Sequence, residues 1–343
     1  MSERSTREKV LWILSKAGGR PVSGSQLAGE MGLSRNAIWK AVKSLQDQGY
    51  EIHSLKGRGY VLRSSGNILS KALIDNRIRE LSRENSVPVP RLVVLDSVDS
   101  TNTYCKSLDH PEIPAVVAAE EQTAGRGRRG RSFSSPAGSG LYFSFAFKPE
   151  FPLEDAMKVT AVSAAVTHQV LTEMTGKEIG IKWVNDLYIG RNMERRKITG
   201  ILTEAVAGLE EGGIERIIIG TGINCFPWAL PPELEGIAGS LWEEGEDHPG
   251  FTRNELLARL IVSMNREFTG KNSLDSDRWV DYYRSHCFVI GRKVLVETAG
   301  RPSYEAEVLD VDDNFQLVVR VLEGTEKGRR INVSSGQVSL RPL

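Results

Sequence analysis

The chain has 343 residues, 40% hydrophobic and 26% charged, with 44 Lys/Arg balanced by 44 Asp/Glu. This composition points to a soluble globular protein of two or three domains and excludes disordered, collagen-like and disulfide-framework classes. The overall neutrality hides an asymmetry: residues 1–63 carry 11 Lys/Arg against 5 Asp/Glu (+6), residues 287–343 carry 8 of each, and the stretch between them carries 25 against 31 (−6).

A basic head on an acidic body suggests a nucleic-acid-binding module joined to a second activity. Cys105, Cys225 and Cys287 lie far apart and make no CxxC spacing, which argues for a reducing compartment and against a zinc site. The first residues are charged from Glu3 onward, and no apolar run approaches the ~18 residues of a membrane span, so a cytoplasmic protein is expected.

In chain order, the first predicted module is a winged helix-turn-helix. Ser5 and Glu8 have the spacing of a capping box ahead of the amphipathic run Val10, Leu11, Ile13, Leu14 and Ala17. Gly18-Gly19-Arg20-Pro21 ends that helix, Ser23 caps a second with Leu27, Ala28 and Met31, and Gly32 supplies the turn. Ser34 caps a third helix with Ile38, Ala41, Val42 and Leu45 on one face. Its other face shows Arg35, Asn36, Trp39, Lys40 and Lys43, a basic, amide-bearing side suited to the major groove. Two short strands, 50–53 and 60–62, join through Lys56-Gly57-Arg58-Gly59, a tip suited to phosphate or the minor groove. The expected DNA contacts are Ser34, Arg35, Asn36, Trp39, Lys40, Lys43, Lys56 and Arg58; for Trp39, packing against the wing is the alternative.

A polar break at 64–67 precedes an amphipathic helix marked by Ile68, Leu69, Leu73, Ile74, Ile78 and Leu81. Strands are predicted at 92–95, 115–121, 141–147, 179–189, 197–206 and 215–219, with helices at 153–174, 254–268 and 276–284. Consecutive strands without helices between them predict an α+β domain with a mixed or mostly antiparallel sheet. Short strands at 293–297, 306–311, 316–321 and 330–333 predict a small SH3-like β-barrel. The expected modules are thus 1–65, 66–286 and 287–343.

Gly125-Arg126-Gly127-Arg128-Arg129-Gly130-Arg131 is the most informative stretch. Glycine lets backbone approach a ligand, and arginine offers planar cationic forks that suit phosphate oxygens. The spelling also fits G-x-G-x-x-G, but a dinucleotide fingerprint must open a helix, and the following Ser132–Gly140 run leads to another strand. An RNA-binding arginine–glycine tract would repeat in a disordered region, whereas this run is single and lies between strands. It reads as a loop closing over an anion.

Other polar clusters sit at strand ends. Asp99-Ser100-Thr101-Asn102 can hold a neutral hydrogen-bonding ligand or cap the next helix, and Gln122 opens the loop. Lys182-Trp183-Val184-Asn185-Asp186 puts polar groups on an otherwise apolar strand, where they are costly unless used or paired. Lys197 precedes Gly200, and Gly220-Thr221-Gly222-Ile223-Asn224 lets a ligand approach backbone. His168 and His286 are read as structural.

These motifs, in this order, resemble those of biotin protein ligases, and with the head the whole chain resembles the bifunctional ligase–repressors of that family. Two departures are visible: Phe133 where the family usually has Trp, and Val184 where it usually has Pro. The resemblance implies a ligase that activates biotin with ATP and Mg²⁺, transfers it to a lysine of the biotin carboxyl carrier protein, and binds operator DNA as a homodimer once biotinyl-adenylate is bound. A lipoate-type ligase is disfavoured by the loop's arginine-rich spelling, and a DNA-binding sensor without catalysis by the intact Arg128, Lys182 and Lys197.

The resemblance further implies that Arg128, Lys197 and Lys182 are catalytic. Biotin would be held by Ser100, Thr101, Asn102, Gln122, Arg126, Gly127, Arg128, Lys197, Gly220 and Gly222. ATP would meet Arg128, Arg131, Asn185, Asn224 and Trp242, with Trp228 as the other indole that could flank adenine, and Asp186 would meet the metal.

Overall fold

A computed structural model describes residues 5–64, 68–108, 114–191, 194–208, 213–269, 274, 276–298, 302–334 and 338–342. The head is built from α1 (Thr6–Lys16), α2 (Gly24–Met31), α3 (Arg35–Asp47) and the antiparallel hairpin β1 (Glu51–Leu55) and β2 (Gly59–Ser64). Ser5 and Glu8 form the reciprocal capping box, and Ser23 and Ser34 each accept the backbone N–H three residues on. Gly32 ends α2 in the left-handed region at φ 64°, a conformation that a Cβ would disfavour. Val10, Leu11, Leu14, Leu27, Ile38, Val42 and Leu45 make the core of the head.

Helix α4 (Lys71–Asn85) belongs to two cores at once: Leu73 packs in the head, while Ile74, Ile78 and Leu81 pack in the central core. The segment ahead of it is pinned by side chains from far along the chain. Ser70 N–H donates to Asn254 Oδ1 (2.8 Å), Asn254 Nδ2 donates to the Ile68 carbonyl (2.9 Å), and Leu69 N–H donates to Glu120 (2.5 Å). Glu120 also pairs with Arg253 (2.9 Å), whose side chain is 1% exposed. The predicted break at 64–67 lies, but for Ser64, outside the described residues.

The central unit contains β3 (Arg91–Val98), α5 (Thr101–Ser107), β4 (Ala115–Gln122), β5 (Gly140–Phe147), α6 (Lys158–Thr175), β6 (Ile179–Lys182), β7 (Asp186–Ile189), β8 (Arg196–Ala207), β9 (Ile214–Asn224), α7 (Arg253–Phe268) and α8 (Ser276–His286). Its strands form one seven-stranded sheet in the order β3-β4-β5-β9-β8-β7-β6; only the β3–β4 pair is parallel. Alternation sorts the two faces. Val116, Ala118, Phe145, Phe147, Ile217 and Ile219 join the large core with α4, α6, α7 and α8, whereas Val117, Ala146 and Ile218 pack with Cys105 of α5.

Three predicted elements are corrected. The strand expected at 179–189 is a hairpin, β6 and β7, turning at residues 183–185, because Trp183 and Asn185 are drawn away to partners elsewhere: Trp183 Nε1 donates to the Phe315 carbonyl and Asn185 Nδ2 to the Ile201 carbonyl (both 2.8 Å). The helix expected from 153 begins with a 3-10 turn, Leu153–Met157, before α6. The strand expected at 215–219 runs on through the Gly220-Thr221-Gly222 run to Asn224.

The tail forms β10 (Lys293–Thr298), β11 (Tyr304–Val311), β12 (Leu317–Val321), β13 (Arg330–Val333) and the unpredicted β14 (Val338–Pro342). They make an antiparallel sheet in the order β13-β12-β11-β10-β14. Among the described residues its outer strands do not pair with each other, so what stands here is a small antiparallel sheet. Val294, Val296, Ala306, Val308 and Phe315 are continuous with the central core.

Candidate active site

One cavity of about 380 Å³ gathers the motifs. Its hydroxyl-and-amide wall comes from α5 and β4. Ser100 occupies the N-cap position of α5 but makes no side-chain cap bond, so the capping role is not realised. Thr101 N–H donates instead to Gln122 Oε1 (2.9 Å), as does Thr101 Oγ1 (3.1 Å), and Gln122 Nε2 donates to Ser135 Oγ (2.9 Å). Asn102 Nδ2 donates to Glu204 (2.8 Å). Ser100, Thr101 and Asn102 are all buried and all line the cavity.

Glycines make the adjoining wall. Gly200 of β8 pairs across the ladder with Gly222 of β9, and Gly220 lies two residues before it on the same face. A Cβ on Gly222 would come within 2.4 Å of the Phe133 ring, and one on Gly220 within 2.2 Å of Asn102 Oδ1. Phe133 thus lies over the glycine wall and meets Tyr142 edge-on, 6.4 Å between ring centres. An aromatic ring therefore stands at the position where the resemblance leads one to expect Trp.

The arginine–glycine loop is folded back on itself. Arg126 bridges Ser132, Gly127 N–H donates to the Arg131 carbonyl (2.7 Å) and Phe133 N–H to the Gly125 carbonyl (2.9 Å). Arg129 takes φ 59° to close this turn, an uncommon conformation for a residue with a Cβ. Arg128 Nη1 donates to Asn185 Oδ1 at 2.9 Å. Burial holds the Arg128 guanidinium below its ordinary pKa, partly offset by Asp186.

Arg126, Arg128, Arg131, Lys182 and Lys197 all line the cavity, as do Gly127, Asn185 and Asp186. Lys197 Nζ lies 2.8 Å from Asp186 Oδ1. The strap after β9 fixes the Lys197 backbone on both sides: Lys197 N–H donates to the Ile237 carbonyl and Gly239 N–H to the Lys197 carbonyl. Lys182 Nζ stands 5.4 Å from the centre of the Tyr188 ring. Clustered cations around small polar groups and bare backbone can hold an anion beside a neutral hydrogen-bonding group.

Two expected ligand residues are not brought into this cavity. Asn224 is buried and donates to the Gly239 carbonyl (2.9 Å), so it fastens the strap. Trp242 packs against Phe251 and carries Lys177 over its ring at 4.5 Å; with Trp228 it lines a separate open hollow. Tyr188, Leu234 and Ile237 line the cavity without having been singled out, and Trp183, quoted within the lysine motif but given no role, lines it too. Ile237, 54% exposed, carried a usable signal: an apolar side chain isolated in a loop rich in proline, glycine and glutamate.

The head presents a second surface. Arg35, Asn36, Trp39, Lys40 and Lys43 on α3, and Lys56 and Arg58 at the wing tip, are all exposed. Trp39 is 53% exposed and takes no part in the core of the head. Ser34 is exposed too, with its hydroxyl oxygen accepting from Ala37 N–H (3.1 Å).

A helix-turn-helix head on a mixed-sheet core, with a cationic cavity roofed by an arginine–glycine loop, defines the class. The biotin/lipoate A/B protein ligase family matches residues 94–224, and an HTH domain family matches residues 6–61. The chain is 31% identical over 335 residues to the bifunctional ligase/repressor BirA of Bacillus subtilis, covering 94% of this chain and 97% of that one. Against BirA of Escherichia coli it is 33% identical over 263 residues, 76% of each. The structure of the Aquifex aeolicus biotin protein ligase in complex with biotin and ATP superposes with a TM-score of 0.58 at 27% identity, covering 74% of this chain and 99% of that one. The chain belongs to the family of bifunctional ligase/repressors.

Proposed function

We propose that this protein joins biotin to ATP, forming biotinyl-5′-AMP, transfers the biotinyl group to a lysine of a biotin carboxyl carrier protein, and binds operator DNA as a repressor when the adenylate is held. The observation that carries this reading is the single cavity in which Asn102 and Gln122 stand with Arg126, Arg128 and Lys197. Three modules divide the work: 1–65 for DNA, 66–286 for catalysis and 287–343 as support.

In the first step a carboxylate oxygen attacks the α-phosphorus and pyrophosphate leaves. In the second the carrier's lysine amine attacks the acyl carbon and AMP leaves. Both steps gather negative charge, which Arg128, Lys182 and Lys197 offset without an enzyme nucleophile. Ser100, Thr101, Asn102 and Gln122 hold biotin's ring, Arg126 and Gly127 cover its carboxylate, and Gly220 and Gly222 let it lie against backbone. Arg131 and Asn185 face the nucleotide.

Mg²⁺, when bound, neutralises phosphate charge. The donor set fits it: Asp186 Oδ1 is buried and, although close to Lys197, makes no hydrogen bond of proper angle. No group of three or more His, Cys, Asp and Glu able to hold a metal occurs among the described residues. One carboxylate plus substrate phosphates is a common magnesium site.

A lone winged helix covers few base pairs, so operator affinity rests on a homodimer binding two half-sites. The decisive experiment incubates the full chain with biotin, MgATP and a carrier domain, read by intact mass. A carrier that gains no biotinyl group rejects the ligase reading. Sedimentation with and without biotinyl-adenylate tests the dimer: self-association should strengthen, and an unchanged constant rejects the coupling.

A further inference from the structure

Glu204 of β8 touches the cavity residue Asn102 but does not itself line the wall. A side-chain amide has one accepting and one donating end, and its neighbours decide which way it turns. Asn102 Nδ2 faces Glu204 Oε2 at 2.8 Å and the Leu202 carbonyl at 3.4 Å. An ionised carboxylate and a carbonyl only accept, so the amino end of Asn102 is committed to them. Its oxygen is left toward Ser144 Oγ, which donates to it at 2.6 Å, and toward the Gly220 backbone. The second lone pair of that oxygen is available to a donor in the cavity.

Gln122 is set the opposite way by a group that only donates, the Thr101 backbone N–H, which claims Oε1. The wall thus carries an oxygen acceptor at Asn102 and an amide donor at Gln122. A cyclic urea, with N–H donors flanking a carbonyl acceptor, complements both.

Lys106 Nζ holds the other carboxylate oxygen of Glu204 at 2.6 Å. Burial raises the Glu204 pKa, but the hydrogen bonds from Lys106 and Asn102 outweigh it and leave the group below its ordinary value. It therefore stays an acceptor at neutral pH.

We propose that Glu204 is a positioning residue for biotin recognition: by accepting from Asn102 Nδ2 it turns Asn102 Oδ1 to receive a ureido N–H of the ligand. This rests on the biotin reading above. An ordinary ion pair with Lys106 would hold Glu204 in place without affecting ligand choice, so the two partners must be separated by experiment.

Calorimetric titration of the full chain with biotin, alongside steady-state kinetics, separates them. Glu204→Leu should weaken biotin binding about 10- to 100-fold, the scale of a hydrogen bond to a charged group. The KM for MgATP and kcat should stay within about twofold, since a role confined to ground-state binding of one substrate leaves them alone. Glu204→Gln should recover biotin affinity to within about threefold, because its Oε1 still accepts from Asn102. Lys106→Met should leave biotin affinity unchanged.

Unchanged biotin affinity in Glu204→Leu, an equal loss in Lys106→Met, or parallel loss of all three parameters would overturn the proposal. A cycle pairing Asn102→Ala with Glu204→Ala asks the same question without the leucine variant. Glu204→Ala alone should weaken biotin binding about 10-fold or more; once Asn102 is gone it should change nothing further, and additive losses would overturn the proposal. Wild-type protein that binds no biotin rejects the biotin reading itself, whereas wild-type binding with an indifferent Glu204 rejects only this inference.

Discussion

Arg128 and Asn185, 57 positions apart, are joined by a 2.9 Å hydrogen bond that fastens the arginine–glycine loop to the turn between β6 and β7. The loop's backbone is closed within itself, so this bond and the Phe133 ring tie it to the sheet beneath. On the proposed function, a reactive acyl-adenylate under this roof would be shielded from water as long as the tie held.

Arg128→Gly should therefore leak biotinyl-adenylate. Loss of a charge-assisted bond predicts about 10- to 100-fold faster release. Chromatography of free adenylate during turnover, with mass mapping of stray lysine biotinylation, checks this. Asn185→Ala should leak too but keep the guanidinium, so its adenylate synthesis should suffer less. Retention equal to wild type in both variants would rule out the tie.

Lys197 is held rigidly by the strap through its own backbone, with its ammonium beside Asp186. Lys197→Ala should slow adenylate formation roughly 10²- to 10³-fold, the typical cost of removing one preorganised electrostatic contact. Rapid-quench measurement of pyrophosphate release in a single turnover reads this directly. A wild-type rate would deny the residue that role.

On the head, Lys56→Ala or Arg58→Ala should weaken operator and random DNA alike and lower the salt slope by about one per residue. Trp39→Ala should instead erode discrimination between operator and mutated sites, as expected for an apolar base contact. Fluorescence anisotropy at several salt concentrations distinguishes the two behaviours.

His168 supplies a pH signature. Its imidazole is 1% exposed, bonded to Tyr282 Oη (2.8 Å) and the Ile179 carbonyl (3.0 Å), and burial lowers its pKa from 6.5 to about 4, with His286 adding to the effect. The unfolded chain therefore binds the extra proton between those values. Stability falls as pH drops through 6.5 and levels off below about 4, with a loss of about 3 kcal/mol from this group. Urea midpoints from pH 7.5 to 4 should show this slope in wild type and a flatter one in His168→Gln.

Much of this was legible in local spelling. Ser5, Ser23 and Ser34 each precede a helix and each caps it, because an N-cap is a contact within one turn. The arginine–glycine run, Asn102, Gln122 and Lys197 were recognisable because polar residues beside apolar strands need a reason. The hairpin at residues 183–185 was not legible, since its cause, the Phe315 carbonyl, lies 132 residues away. Asn224 and Trp242 were ligand residues by resemblance alone, and no local pattern in the sequence foretells that Asn224 bonds the Gly239 carbonyl or that Trp242 packs on Phe251.

The contact of Trp183 with Phe315 is one of three that brace the β6–β7 hairpin from later in the chain, out of α8, the segment after it and the tail. Tyr283 Oη donates to the Val184 carbonyl at 3.2 Å, and Phe288 N–H donates to the Ile181 carbonyl at 3.1 Å. The lysine–tryptophan motif is thus clamped from behind by residues that follow it by about a hundred positions or more. A chain cut between α8 and β10 should yield two pieces that are inert apart and active when recombined, so the tail is a natural seam for a split enzyme whose switching-on reports that its fragments have met.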